Sequence, residues 1–186
     1  DEIAAFQARF VTEFAGLGEE VEDVGNEVLN SISISKVYED RQNFIKQTAW
    51  EGHLVGVNLA AGEFGSSDGV LYTDYTYPTN DELDYYHSKG IQIIRLPFKW
   101  ERLQRDLYAP LWEQDLNLIK GLVTHATGLG MRIILDPHNY SDRDGQEIGT
   151  ITAPWAAWED FFTKLATEFK YNPLVIFLTC NEPTKT

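Results

Sequence analysis

MRIILDPHNY at 131–140 sets an apolar run, Met131–Leu135, directly against Asp136-Pro137-His138-Asn139-Tyr140, a cluster of polar and aromatic side chains. The same join recurs at 174–183, LVIFLTCNEP, where Leu174–Cys180 runs into Asn181-Glu182-Pro183. Upstream, Ile91–Arg95 ends in a lone arginine, and Leu54–Asn58 ends in an asparagine with Glu63 just beyond. Each run is short and rich in Val, Ile or Leu, as strands buried on both faces are.

Helical patterns separate these strands. Asn80 is placed to cap a helix ending at Gly90, a second helix runs from about Trp112 to near Gly128 and Gly130, and Asn172-Pro173 closes a third. The third carries Trp155, Trp158, Phe162, Leu165 and Phe169 on one stripe, the face expected to lie on the sheet. The strand starts are spaced 37, 40 and 43 residues apart. Four βα units in sequence imply a parallel sheet with right-handed crossovers.

A doubly wound open sheet and a closed barrel both accommodate four such units. A nucleotide-binding open sheet wants a glycine-rich first turn. Gly62-Glu63-Phe64-Gly65 has neither that spacing nor a helical pattern after it. In a barrel, reactive groups at the C-terminal ends of several strands converge on one axis. The pattern therefore predicts a (β/α)8 TIM barrel, of which this chain holds about the first four units.

Residues 1–50 read differently. Ile3, Phe6, Phe10, Phe14, Leu17, Val21, Val24 and Val28 recur at the period of one helical face, interrupted by Gly16, Gly18 and Gly25. Two readings stand open: an amphipathic extension packed on another domain, and a short oligomerising coiled coil. A linker-like SISIS follows at 31–35. The organisation read from the sequence is a helical extension or linker over 1–50 and the N-terminal half of a barrel domain over 51–186.

Composition bounds the function. The 186 residues carry a net charge of −14, with 43% hydrophobic and 13% aromatic residues, which is the profile of a folded domain. The acidic excess argues against a nucleic-acid partner. No apolar run reaches the roughly 18 residues a membrane helix needs, and no membrane partner is expected. The opening DEIAAFQARF lacks the basic n-region of a secretory signal. Cys180 is the lone cysteine, so no internal disulfide forms. Neither HExxH nor another metal-ligand spacing occurs, and no metal or cofactor is expected. A start without Met and a stop just beyond a strand-like run read as a fragment.

The polar strand ends suggest a chemistry. A carboxyl at a barrel mouth, beside an amide able to bond a hydroxyl, suits acid/base work on a glycosidic bond, and Asn181-Glu182 is such a pair. An Asn-Glu-Pro tripeptide alone could equally cap a helix; its place after a strand gives it weight. Burying the Arg95 guanidinium needs a paired anion, either in a barrel-closing salt bridge or within a site. His138, between Pro137 and Asn139, sits where core histidines are rare. His53, His87 and His125 are scattered and read as surface or packing residues.

Four motifs now stand in order: GVNLAAGEFG at 56–65, IIRLPFKWERLQ at 93–104, ILDPHNY at 134–140 and NPLVIFLTCNEP at 172–183. With them, residues 54–184 resemble the first half of a glycoside hydrolase family 5 enzyme of the cellulase (endo-β-1,4-glucanase) branch. The resemblance implies that Glu182 is the acid/base and that Asn181 contacts the sugar 2-hydroxyl. It implies that Arg95 and His138 line the same subsite, Arg95 orienting the nucleophilic carboxylate. Asn139, Tyr140, Trp100 and Asn58 would be sugar-contacting or supporting positions. The nucleophilic Glu of the family ends the seventh strand, outside this chain, so the 186 residues alone are expected to be inactive. The implied function is a retaining, secreted endo-glycosidase acting on β-1,4-glucan polysaccharide or oligosaccharide. A β-mannanase or other β-glucanase of the family stays open, as does a non-catalytic carbohydrate-binding or assembly fragment. Departures from the family pattern are Thr179, Cys180 and Thr184 around Asn-Glu-Pro, Ala61-Gly62 in place of Gly-Ala, and Ser141-Asp142-Arg143 in place of an aromatic.

Overall fold

A computed structural model describes residues 54–183, all within the compact unit Trp50–Thr186. The helical reading of residues 1–50 and the placing of His53 lie outside the described residues. The elements in chain order are β1 (Gly56–Asn58), α1 (Asn80–Ser88), β2 (Ile93–Phe98), a short α2 (Trp100–Leu103) and α3 (Glu113–Gly128). They continue with β3 (Arg132–Pro137), β4 (Asp142–Arg143), β5 (Gln146–Glu147), α4 (Trp155–Phe169) and β6 (Val175–Phe177). Strands β1, β2, β3 and β6 form one parallel sheet in that order. Parallel neighbours need crossovers, and α1, α3 and α4 supply them. The small β4–β5 antiparallel hairpin was not legible in the sequence pattern.

The strand bounds differ from those read in the sequence. The middle strands begin later than Ile91 and Met131 and run on to Phe98 and Pro137, because Pro97 and Pro137 lack only a donor and still pair in register. The last strand stops at Phe177 rather than Cys180, and the first begins at Gly56 rather than Leu54.

The sheet is not buried equally on its two faces, contrary to the sequence expectation. Paired residues share a face, and Ile94 and Ile133 are fully buried on the side covered by the helices. The opposite row, Asn58, Arg95, Ile134 and Ile176, is half-buried to exposed. Among the described residues, the helices cover the Ile94–Ile133 face.

Helix α1 starts at Thr79, not Asn80. Thr79 Oγ1 accepts from Glu82 N at 3.2 Å while Glu82 Oε2 accepts from Thr79 N at 2.7 Å, a reciprocal capping box that Asn80 could not form. Helix α3 runs from Glu113 after Trp112 to Gly128, as its sequence pattern predicts. The α4 stripe buries Trp158, Phe162, Leu165 and Phe169, joined by Phe161, each worth roughly 1.5–3 kcal/mol of apolar burial. Trp155 is half exposed instead, since it occupies the first turn and leans on Gly149 rather than on the sheet. Asn172 closes the connection by accepting from Leu174 N at 3.1 Å and donating to Thr127 Oγ1 at 3.1 Å.

Candidate active site at the strand ends

Register places Asn58 beside Arg95 and Asp136 beside Pro97, so the polar residues collect at the C-terminal edge of the sheet. Arg95 Nη1 donates to Asn58 Oδ1 at 3.1 Å. Its Nη2 donates to Asn181 Oδ1 at 2.5 Å and to Asp136 Oδ2 at 2.6 Å. One guanidinium thus joins the ends of β1, β2 and β3 and the segment after β6.

Proton counting fixes the histidine. The hydrogens of Arg95 Nη2 are taken by Asp136 and Asn181, so His138 Nδ1, 3.1 Å from the same nitrogen, carries its own proton. It donates that proton to Asp136 Oδ2 at 2.7 Å. In the neutral ring His138 Nε2 is then the acceptor, and the Tyr140 hydroxyl donates to it at 2.9 Å. Asn181 accepts from Arg95 through its carbonyl oxygen, and its amide nitrogen makes no hydrogen bond among the described residues.

Asp136 is fully buried, and its Oδ1 has no partner among the described residues. Burial raises its carboxyl above the ordinary aspartate range; the His138 hydrogen bond and the Arg95 charge pull the other way without cancelling it.

Glu182 is exposed and holds φ at +38°, and Tyr140 and Ser141 hold +53° and +61°. Left-handed backbone in residues other than glycine costs energy and concentrates at functional sites. Beneath them, Asn139 Oδ1 accepts from Trp100 N at 2.9 Å, and its Nδ2 donates to Glu101 Oε2 at 2.6 Å. Glu101 Oε1 in turn accepts from Asp144 N at 2.9 Å, tying α2 to the β4–β5 hairpin.

An open cleft of about 730 Å3 lies alongside, lined by Glu63, Phe64, Lys99, His138, Asn139 and Tyr140 among others. Phe64 and Tyr140 are exposed there. Exposed aromatic faces beside fixed polar groups match a ligand with apolar C–H faces and many hydroxyls.

A family model described as cellulase (glycosyl hydrolase family 5) matches residues 47–186. The chain belongs to glycosyl hydrolase family 5. It is 37% identical over 134 residues to a probable endo-beta-1,4-glucanase B of Aspergillus oryzae, covering 69% of this chain and 38% of the relative. It is 38% identical over 131 residues to endo-beta-1,4-glucanase A of Emericella nidulans, covering 69% of this chain and 39% of the relative. Among solved structures, XacCel5A in complex with cellopentaose superposes with a TM-score of 0.68 at 45% identity, over 70% of this chain and 42% of that one. The chain therefore spans about two fifths of the length of these family 5 proteins.

Within this family 5 chain, Asn58, Arg95, His138, Tyr140 and Asn181 form one hydrogen-bonded set, with Asn139 adjoining through the cleft wall. Glu182 follows Asn181 but makes no hydrogen bond to the set among the described residues. Trp100 is fully buried: its Nε1 donates to Gln104 Oε1 at 2.9 Å and its ring packs on Trp158, in the core rather than on the cleft wall. The anion that burial of Arg95 demands is Asp136. His87 is exposed, and His125 pairs with Asp84 at 2.8 Å between α3 and α1, away from the site. Sequence reasoning left Asp136 off the site although the anion demanded by Arg95 pointed to it. It also left out Phe64, Lys99 and Glu101, whose places on the cleft wall depend on contacts between distant segments.

Proposed function

We propose that this chain is the acid/base half of a retaining endo-acting β-1,4-glucanase. The observation that carries the reading is the four-way contact of Arg95 with Asn58, Asp136, His138 and Asn181, which gathers the strand ends on one point. Residues 51–186 form the N-terminal half of a (β/α)8 barrel in this reading, and residues 1–50 are an extension outside it. The exposed row Asn58–Arg95–Ile134–Ile176 is the inner barrel face that further strands would cover. The named relatives are endo-β-1,4-glucanases, and one neighbour holds cellopentaose, which favours glucan over mannan.

In the first step a carboxylate from the other half of the barrel attacks the anomeric carbon. The glycosidic C–O bond breaks, and the proton of Glu182 goes to the departing oxygen. In the second step Glu182, now a carboxylate, takes a proton from water. That water attacks the same carbon and releases the nucleophile. The free amide N–H of Asn181 bonds the sugar 2-hydroxyl, and Arg95 faces the nucleophile, keeping it ionised. Asn139 and Glu101 hold the cleft floor. The substrate polymer cannot cross a membrane, so the enzyme acts outside the cell.

A fluorinated cellobiosyl inhibitor that traps the covalent intermediate tests this reading in the enzyme with its barrel complete. The label is expected on a carboxyl outside residues 1–186, and the 186-residue chain alone is expected to remain unlabelled and without turnover. Labelling of Glu182, or clear cellulose-derivative hydrolysis by the chain alone, overturns it.

A further inference from the structure

Arg102 stands apart from the hydrogen-bonded set around Arg95. It is buried in α2, and no carboxylate among the described residues forms an ion pair with it. A buried guanidinium is costly unless its donors are met. Here they are met by backbone carbonyls of one irregular loop. Nη1 donates to Gly62 O at 2.6 Å, Nη2 to Phe64 O and to Ser66 O at 3.0 Å, and Nε to Ser66 O at 3.2 Å. The guanidinium lies over the Tyr75 ring, 3.8 Å from its centre. Tyr75 and Tyr77 both donate to Asp115 Oδ1, at 2.9 and 3.1 Å, which places a buried negative charge behind the stack.

That loop belongs to no strand or helix, and within 62–66 the only backbone donor bonded to backbone is Phe64 N, to Ala61 O at 3.3 Å. Its shape therefore depends on what grips its carbonyls. Its other side forms cleft wall, through Glu63, Phe64 and Ser66.

We propose that Arg102 is a positioning residue that holds the loop Gly62–Ser66, and with it the Glu63 and Phe64 side chains, in the shape that lines the glycan cleft. The planar fork spreads its donors over three nitrogens in fixed geometry; an ammonium gathers its three donors on one nitrogen at the end of a flexible stem and does not match that spacing. The inference rests on the glycan-cleft reading, and its two readouts separate the claims.

The test compares Arg102→Lys with the unaltered protein, both with the barrel complete. Hydrogen exchange of residues 62–69 should speed up at least tenfold, and by more than in β2 and β3. Cellopentaose affinity, by calorimetry, should fall at least tenfold. Unchanged exchange at 62–69, or exchange that speeds equally in the strands, overturns the positioning role. Faster loop exchange with unaltered cellopentaose affinity overturns the link to the cleft. If the unaltered enzyme with its barrel complete binds no cellopentaose, the glycan reading fails and with it the link, while the exchange result still decides what holds the loop. Should Arg102→Lys fail to fold, Tyr75→Leu, which strips the ring from beneath the guanidinium, is read in the same way.

Discussion

Arg95 Nη2 lies 2.6 Å from Asp136 Oδ2, with the carboxylate fully buried and the guanidinium side chain 25% exposed. The carboxylate is the fully buried partner and the guanidinium the one left partly open to solvent. Asp136 also fixes the His138 proton on Nδ1, so a single buried oxygen sets the orientation of two site residues.

The same burial gives a pH dependence. Because burial holds the Asp136 carboxyl above the ordinary value of about 3.9, the folded chain binds its proton more tightly than the unfolded chain does. That contribution is fully present below about pH 3.9 and is lost as pH rises through the raised folded value. Denaturation of the chain and of Asp136→Asn across pH 3–7 should show the largest advantage of Asp136 at the acid end. An advantage that grows with pH would mean that the pairing with Arg95 outweighs burial.

Ala61 holds φ at +134°, a conformation that favours glycine, while Gly62 beside it has no room for a side chain. A Cβ at Gly62 would sit 2.5 Å from Pro97 O and 2.9 Å from the Tyr77 ring. Ala61→Gly should stabilise the fold by about 1 kcal/mol through relief of strain. Gly62→Ala should destabilise it by about 1–3 kcal/mol. Urea unfolding of both variants checks the opposite signs.

Glu101 is buried and meets two donors, Asn139 Nδ2 and Asp144 N. Glu101→Ala leaves both without their acceptor and should cost about 2–6 kcal/mol, since each stranded donor costs about 1–3 kcal/mol. Glu101→Gln keeps one acceptor and should cost less. Equal losses in urea unfolding would show that the charge alone matters.

On α4, Phe161→Ala should cost about 3–5 kcal/mol, the usual loss for a buried aromatic. Trp155→Ala, half exposed, should stay below about 1 kcal/mol. Thermal unfolding separates the two directly.

Much of the fold was legible because its signals are local. The apolar runs ending in Asn58, Arg95, Asp136 and Asn181 mark parallel strands, and the order of those ends marks the site edge. Helix α3 was readable from its period and its terminal glycines. What escaped depends on contacts between distant residues. Trp155 keeps the period of the α4 stripe but lies beyond the sheet it would cover. Trp100 sits inside a site motif, yet tertiary packing against Trp158 turns it into the core. Thr79 displaced Asn80 as the cap because Glu82 completes a capping box, a signal present in the sequence as Thr79 followed three residues later by Glu82. The cleft loop at 62–66 is shaped by Arg102, some 40 residues away, and no local pattern announces it.

The role of Glu182 is tested most directly by kcat/KM for Glu182→Gln in the completed enzyme, measured with cellopentaose and with an aryl cellobioside whose leaving group needs no proton. This parameter reports the first, bond-breaking step. The account predicts a loss of about a hundred- to ten-thousand-fold for cellopentaose and less than about tenfold for the aryl substrate. An equal loss for both would contradict it, because Glu182 would then not be the acid that protonates the departing sugar.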